Sequence, residues 1–527
     1  MKPFRSPWFG PALIFVLALL PAWVRAAEPG FPTVVRIENG LLAGLRSTDG
    51  GVMSFKGIPF AAPPVGDLRW KEPQRAPDWA GVRPADAFGP SPMQPMPRPF
   101  GVYTQEFLIP AQPVSEDCLY LNVWTGAKAP SERRPVIVWI YGGGFGTGGS
   151  NVPIYDGEAL AARGVVFVSI NYRVGVFGFF AHPELTKESP NKASGHYALM
   201  DQLAALQWVK RNIAIFGGDP DNVTVAGQSA GAMSISALAG SPLARGLFRR
   251  VIAESGSLLV REGAFRTVDR AAAEQSGLAM MNAAGAKSLA ELRARPAEAI
   301  LEALRGRFFP VVDGYVLPES VPDLYADGPP LEIDLLTGWN ADETRGAAPV
   351  SAAAYREQLR SRFGADALAV LRQYPAENEV DAGVSQRAFS RDETFGVAGF
   401  KWAMLQARAG RRAYVYSFER KPPARGDYVR YGAFHTAEVP YALGTLSFLQ
   451  NRPLEAIDRT LSNQMMAYWV NFARTGDPNG PDLPVWNKFA TNIGGSLTLS
   501  ETVTYGPTPN FEGLLLLLRL LDPSPTR

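Results

Sequence analysis

The stretch VTVAGQSAGAMSISAL, residues 223–238, decides the fold of this chain. Its first four residues, 223–226, are apolar or β-branched and predict a short buried strand, whereas residues 232–238 have the composition of a helix. The turn between them is GQSAG, residues 227–231. A serine hydroxyl is a poor nucleophile, so it must stand clear of the backbone beside a base, near the positive end of a helix. The two flanking glycines permit so sharp a turn, and Ser229 is therefore the predicted nucleophile.

The segments around this motif alternate between strand-like and helix-like patterns. PVIVWIY (135–141) and VVFVSI (165–170) are continuous β-branched and aromatic runs, typical of strands covered on both faces by helices. Residues 197–216 have apolar side chains at helical spacing. RAYVYSF (412–418) predicts that the sheet resumes after a long, largely helical and Ala-rich stretch, 259–411. This order predicts an α/β fold with a large, mostly parallel twisted sheet, helices on both faces and helical insertions, in one domain.

The N-terminal residues have the pattern of a secretory signal peptide. Lys2 and Arg5 precede an apolar run, residues 12–20, and small residues follow. The apolar run is too short for a permanent membrane span, although an uncleaved anchor is the alternative. We therefore expect residues 1–26 to be removed during export, leaving 27–527 as the mature single domain, secreted or periplasmic.

Charge and composition exclude several classes of protein. The chain is 46% hydrophobic and 19% charged, as in ordinary globular proteins. Removal of Lys2, Arg5 and Arg25 changes the formal net charge from +2 to −1. A chain so close to neutral has no charge bias that would recruit nucleic acid or an anionic membrane.

Cys118 is the only cysteine of the chain. An internal disulfide is therefore impossible, and stability must come from the core. We expect the thiol to act as a small buried apolar group and not as a nucleophile.

Residues 92–113 are rich in proline and carry Met, Phe and Tyr side chains. The prolines exclude a helix and a central strand. Apolar side chains on such an irregular segment indicate either the wall of a pocket or a loop packed on the surface, and the sequence leaves both open.

The base for Ser229 must come from three histidines, His182, His196 and His435. The order along the chain in α/β enzymes with a GxSxG turn is serine, acid, histidine, and only His435 lies downstream of the serine. The acid must lie between them after a strand, where it can accept the Nδ1 proton of the imidazole. IDLLTGWNADE (333–343) offers such a strand followed by Asp342 and Glu343, either of which could serve.

Two further features complete the predicted site. Glu438 is too close to His435 in sequence to be an obvious acid, and we expect a structural ion pair or hydrogen-bond acceptor. Gly142, Gly143 and Gly144 follow the PVIVWIY strand and leave backbone N–H groups uncovered, able with the N–H of Ala230 to stabilise an oxyanion by about 3 kcal/mol each. A phosphate cradle is the alternative, but neither a following Lys-Ser/Thr nor GxGxxG spacing is present.

Several segments together resemble the type-B carboxylesterases, the group that includes the cholinesterases. The similar segments are FGGDPDNVTVAGQSAG (216–231), EDCLYLNV (116–123), FKGIPFAAPPVGDLRW (55–70), YGGGF (141–145), GWNADET (338–344) and GAFHTAEVPY (432–441). The resemblance implies an α/β-hydrolase fold, Glu343 as the acid, His435 as the base, and Gly143, Gly144 and Ala230 as oxyanion donors. It further implies a serine esterase that acts on small-molecule esters through an acyl-enzyme, with no cofactor and no metal.

Two departures from the family pattern limit this resemblance. Family members usually pair a cysteine in the segment FGPSP (88–92) with the one in EDCLYLN, but here residues 88–92 contain none, so Cys118 should be free. The 92–113 loop also lacks the tryptophan that cholinesterases use for a cation, so choline specificity is not indicated. An amidase or a lipase with the same residues is the alternative activity, and a non-catalytic recognition protein on the same fold is the more distant one.

Overall fold

The computed structural model describes Met1, Pro3 and residues 31–343, 349–450, 452–492 and 494–523. The predicted signal peptide, apart from Met1 and Pro3, lies outside the described residues. The strands are β1 Val34–Ile37, β2 Gly40–Ala43, β3 Leu45–Arg46, β4 Met53–Pro59, β5 Val82–Pro84, β6 Ser91–Pro92, β7 Val114–Ser115, β8 Tyr120–Thr125, β9 Arg134–Ile140, β10 Val166–Ile170, β11 Gly218–Gln228, β12 Arg250–Glu254, β13 Val268–Asp269, β14 Val311–Val312, β15 Asp334–Asn340, β16 Ala413–Phe418, β17 Ser496–Leu499 and β18 Thr504–Gly506. The α-helices are α1 Glu158–Ala162, α2 Gly175–Phe179, α3 Pro183–Glu188, α4 Tyr197–Asn212, α5 Ala230–Gly240, α6 Arg270–Ala283, α7 Leu289–Arg293, α8 Ala297–Ala303, α9 Val321–Leu324, α10 Ala352–Phe363, α11 Ala367–Gln373, α12 Glu379–Arg391, α13 Val397–Arg408, α14 Val439–Ala442, α15 Ala456–Thr475 and α16 Phe511–Leu521.

Eleven strands form the large sheet, in the order β3-β4-β8-β10-β9-β11-β12-β15-β16-β17-β18. Its centre, from β10 to β17, is parallel, and the strands outside that centre pair antiparallel. Because parallel strands end at the same edge, the residues that follow β9, β11, β12, β15 and β16 are brought to one side of the molecule.

The central strands are buried on both faces, as their continuous apolar sequences predict. Every residue of β12 and β16 is buried, and so is every residue of β9 after Arg134. Helices α5, α13 and α15 pack directly on these strands. This mixed sheet with its helices confirms the predicted α/β fold.

The helical insertions interrupt the sheet where the sequence predicts them. Helices α6 to α9 lie between β12 and β15, and α10 to α13 lie between β15 and β16. Strand β16 then pairs in parallel with β15, with Tyr416 opposite Gly338. The chain therefore leaves the sheet twice and returns to it each time.

Two sequence expectations concern single features. Cys118 is free and buried, and burial raises the pKa of its thiol well above the usual value, so the group stays neutral. Within the described part of the chain, we find no helix with the length and apolar character needed to cross a membrane.

Candidate active site

Ser229 lies at the sharp turn between β11 and α5. Its φ of 57° and ψ of −124° are strained for a residue with a side chain, and its backbone N–H donates to the carbonyl oxygen of Glu254 at 2.9 Å. A Cβ at Gly231 would overlap the carbonyl oxygen of Ile140 at the end of β9. Glycine at 231 therefore lets α5 begin close to the sheet, with Ser229 raised at the strand end.

His435 lies in the loop after β16 and is oriented from several sides. Its Nδ1 donates to Glu343 Oε2 at 2.6 Å, and the ring of Phe395 stacks on the imidazole at 4.6 Å between centroids. The Tyr103 hydroxyl donates to the backbone carbonyl oxygen of His435 at 2.7 Å. The Glu343 carboxylate holds the proton on Nδ1 and leaves the lone pair on Nε2, while Phe395 and Tyr103 fix the position of the ring and of the backbone.

Glu343, and not Asp342, is the carboxylate that reaches His435. Its other oxygen, Oε1, accepts from the Ser255 hydroxyl at 2.6 Å and from the Asn340 backbone N–H at 2.8 Å. Asp342 instead accepts from the backbone N–H of Ala433 at 3.0 Å. The two neighbouring carboxylates thus point in different directions, and Asp342 fastens the chain segment that leads to His435.

Ser229 and His435 border the same cavity, about 470 Å³ in volume. On the Nε2 side of the imidazole, the side-chain amide of Gln228 lies 3.2 Å away. No hydrogen bond between Ser229 and His435 is present among the described residues. Catalytic hydrogen bonds of this kind often tighten only when substrate is bound.

The glycine run after β9 lies at the same cavity. Gly143 and Gly144 line it, both with positive φ, and a Cβ at Gly143 would overlap the carbonyl oxygen of Thr147. Within the described residues, neither of their N–H groups donates to another group. Ala230 is the first residue of α5, so its N–H has no partner within the helix. Two of the predicted oxyanion donors, Gly143 and Gly144, therefore lie at the cavity that Ser229 borders, and the third, Ala230, directly follows Ser229 in the chain.

The proline-rich loop forms one wall of the cavity, which decides between the two interpretations left open by its sequence. Residues 94–98, 100–103 and 107–109 line it. Among the described lining residues, Arg98 and His435 carry the basic side chains, and none is a carboxylate.

The other two histidines lie elsewhere. His182 is the N-cap of α3, where its Nδ1 accepts from the Glu184 N–H at 3.2 Å. His196 precedes α4 and contacts the carbonyl oxygen of Val311. Burial lowers the pKa of both, and neither borders the cavity.

The sequence analysis missed three side chains that organise the site, namely Gln228, Ser255 and Asn340. Ser255 directly follows β12 and Asn340 ends β15. Gln228 and Asn340 follow strands that the sequence predicts, and functional side chains gather at such carboxyl ends, but the strand before Ser255 was not among those predicted.

The sheet, the strained serine turn and the carboxylate–histidine pair define a hydrolase with the α/β-hydrolase fold. The model of the carboxylesterase family matches residues 32–510. Fumonisin B1 esterase from Sphingopyxis macrogoltabida is 38% identical over 481 residues, which cover 88% of this chain and 86% of that relative. Para-nitrobenzyl esterase from Bacillus subtilis (strain 168) is 35% identical over 511 residues, covering 91% and 97%. A solved PNB esterase structure has a TM-score of 0.79 at 32% identity, covering 93% of this chain and 100% of that one.

The chain belongs to the carboxylesterase family and is a carboxylic-ester hydrolase. The family predicted from the sequence motifs is thereby confirmed, and so is the predicted reaction class.

Proposed function

We propose that this enzyme cleaves esters through an acyl-enzyme formed on Ser229. His435 Nε2 takes the hydroxyl proton while Ser229 Oγ attacks the ester carbonyl carbon. His435 then gives that proton to the leaving alcohol as the carbon–oxygen bond breaks. In the second half, His435 takes a proton from water, the water oxygen attacks the acyl carbon, and Ser229 recovers its proton as the acid leaves.

Glu343 stabilises the imidazolium that forms in each half of this cycle and keeps the required tautomer. The N–H groups of Gly143, Gly144 and Ala230 donate to the oxyanion of each tetrahedral intermediate. The observation that carries the proposal is the 2.6 Å contact between His435 Nδ1 and Glu343 beside a cavity that Ser229 also borders.

The lining of the cavity supports the proposal that the substrate is a neutral ester with apolar groups. Its described lining residues include no carboxylate that could pair with a cation, whereas Arg98 lies on the lining. The guanidinium of Arg452 already covers the ring of Phe107 at 5.5 Å. A quaternary ammonium entering this cavity would lose water without gaining a counter-charge.

Covalent labelling with an organophosphate and a matched pair of esters test this proposal. The label is expected on Ser229 by peptide mapping, with complete loss of activity. Acetylcholine and its neutral carbon isostere 3,3-dimethylbutyl acetate differ chiefly in charge, and kcat/KM should favour the neutral ester by about tenfold or more. A label on another residue contradicts the nucleophile, and a preference for acetylcholine contradicts the charge argument. If an isosteric amide were hydrolysed as fast as the neutral ester, the enzyme would instead be an amidase.

We further propose that residues 1–26 direct export and are removed, and that 27–527 form one domain in the periplasm or outside the cell. The Lys2 and Arg5 pattern supports the first part, and one large sheet with strands from Leu45 to Gly506 supports the second. N-terminal sequencing of the protein from a periplasmic extract or culture medium should begin near Ala27. An intact N-terminus in the membrane fraction would contradict export with cleavage.

A further inference from the structure

Two buried carboxyl groups lie behind the candidate triad without an obvious role in the reaction. Glu254 ends β12, and Glu438 follows His435 by three residues; both are fully buried. Glu254 Oε1 accepts from the indole N–H of Trp469 at 2.8 Å, and Glu438 Oε2 accepts from the side-chain amide of Asn340 at 2.5 Å. The remaining oxygens, Glu254 Oε2 and Glu438 Oε1, have no hydrogen-bond partner in the described part of the chain.

The surroundings of these carboxyls are acidic or phenolic. The titratable groups that interact electrostatically with these two carboxyls are Glu343, Tyr155 and Tyr416. No hydrogen bond or ion pair within the described residues joins either carboxyl to a Lys or Arg. Two buried negative charges beside Glu343 would be strongly unfavourable.

Both pKa values respond to this burial. Burial raises the pKa of Glu254 to about 8. Burial, together with the charges of Glu254 and Glu343, raises the pKa of Glu438 well above its usual range. At neutral pH the pair therefore retains at least one proton.

Asn340 connects Glu438 to the base and the acid. Its side-chain amide donates to Glu438 and also to the carbonyl oxygen of Phe434 at 2.8 Å, on the two sides of His435. Its backbone N–H donates to Glu343. The turn that it closes holds Thr436 at a φ of 81°, a conformation unfavourable for threonine.

Glu254 is hydrogen-bonded to the candidate nucleophile through its backbone. Its carbonyl oxygen accepts from the backbone N–H of Ser229 at 2.9 Å. Glu254 is thus bonded to the serine turn. Glu438 is connected to the histidine turn through Asn340.

We propose that Glu254 and Glu438 hold one proton between them, on one carboxyl or the other, and that this singly charged pair keeps the His435 turn in position against β15 for the ester hydrolysis proposed above. Each buried carboxyl has an unpartnered oxygen and no Lys or Arg partner among the described residues, and such a group is less costly to bury as the neutral acid. Loss of that proton changes the charge of the pair from −1 to −2 at a buried position where no described cation pairs with it. Glu438 and Glu254 are positioning residues in this proposal, which rests on the proposed function for its activity readout only.

The first test measures stability against pH and does not depend on catalysis. Because the pKa of Glu254 is raised in the folded state, its contribution to stability is complete below the ordinary value near 4.5 and is lost as the pH rises through about 8. Glu254→Gln keeps an acceptor for Trp469 but has no proton to lose. Its Tm should therefore fall less than that of the wild type between about pH 5 and pH 8.

The second test uses two matched variants of Glu438. Glu438→Leu removes the acceptor for Asn340, and kcat should fall by about 100-fold with little change in KM, because His435 is displaced. Glu438→Gln mimics the protonated acid and should restore kcat to within about threefold of the wild type. In the wild type, kcat should decline at alkaline pH as the pair loses its proton, and this decline should be absent from the Glu254→Gln, Glu438→Gln double variant.

Several results would overturn the inference. They are superimposable stability profiles for the wild type and Glu254→Gln, a Glu438→Gln variant as impaired as Glu438→Leu, or an unchanged kcat in a folded Glu438→Leu variant. If no ester is hydrolysed but the stability profiles still diverge, the proposed function fails while the shared proton stands.

Discussion

Replacement of Ser229 by alanine is expected to lower kcat by about 10⁵- to 10⁶-fold, and replacement of His435 by alanine should do the same. Without the Ser229 hydroxyl no acyl-enzyme forms, and without the imidazole no group at the cavity takes its proton. The double variant should be no slower than either single one, because the two side chains act as a unit.

The measurement is single-turnover and steady-state hydrolysis of a chromogenic ester, with thermal unfolding to show that each variant is folded. His182→Ala is the matched control, since His182 caps α3 away from the cavity. It should keep kcat within about threefold while losing about 1 kcal/mol of stability. Folded Ser229→Ala or His435→Ala enzyme with a tenth of the wild-type activity would rule out these roles.

The replacement Glu343→Gln is expected to lower kcat by about 10⁴-fold. The amide lacks the charge that stabilises the imidazolium, and it can turn an N–H toward His435 Nδ1, which favours the wrong tautomer. The hydroxyl of Ser255 and the N–H of Asn340 donate to Glu343 in the wild type, so one side of the new amide would still be held.

Asp342→Asn is the matched control for Glu343→Gln. The side chain of Asp342 accepts from Ala433, and an asparagine oxygen can accept the same bond, so kcat should stay within about threefold. Comparison of kcat for the two variants, with thermal unfolding of each, separates the two neighbouring carboxylates. A loss in Asp342→Asn as large as that in Glu343→Gln would contradict the choice of acid.

Much of the fold could be predicted because its signals are local. The apolar runs at 135–141 and 165–170 correspond to β9 and β10 with an offset of one residue. The serine turn was recognisable because glycines flank a residue between a strand and a helix. Each of these patterns reflects the backbone preferences and burial of adjacent residues, which a sequence displays directly.

The site could be predicted only in part. From the residues alone, Asp342 and Glu343 were equivalent, and the family resemblance indicated Glu343. Gln228, Ser255 and Asn340 were missed because their roles depend on strand ends that meet across the sheet. The sequence predicted an ion pair or a hydrogen-bond acceptor at Glu438, which accepts from Asn340, but the complete burial of Glu438 and Glu254 has no sequence signal.

The sequence by itself determined the alternation of strands and helices and the sharp serine turn, and it predicted His435 as the base, because these follow from local pattern and from the order of a few residue types. Only the tertiary structure decided which way Asp342 and Glu343 point, that the 92–113 loop lines the cavity, and that Glu254 and Glu438 are buried without a described cation as partner. These outcomes depend on the packing of parallel strands, whose carboxyl ends bring distant residues within a few ångströms of one another.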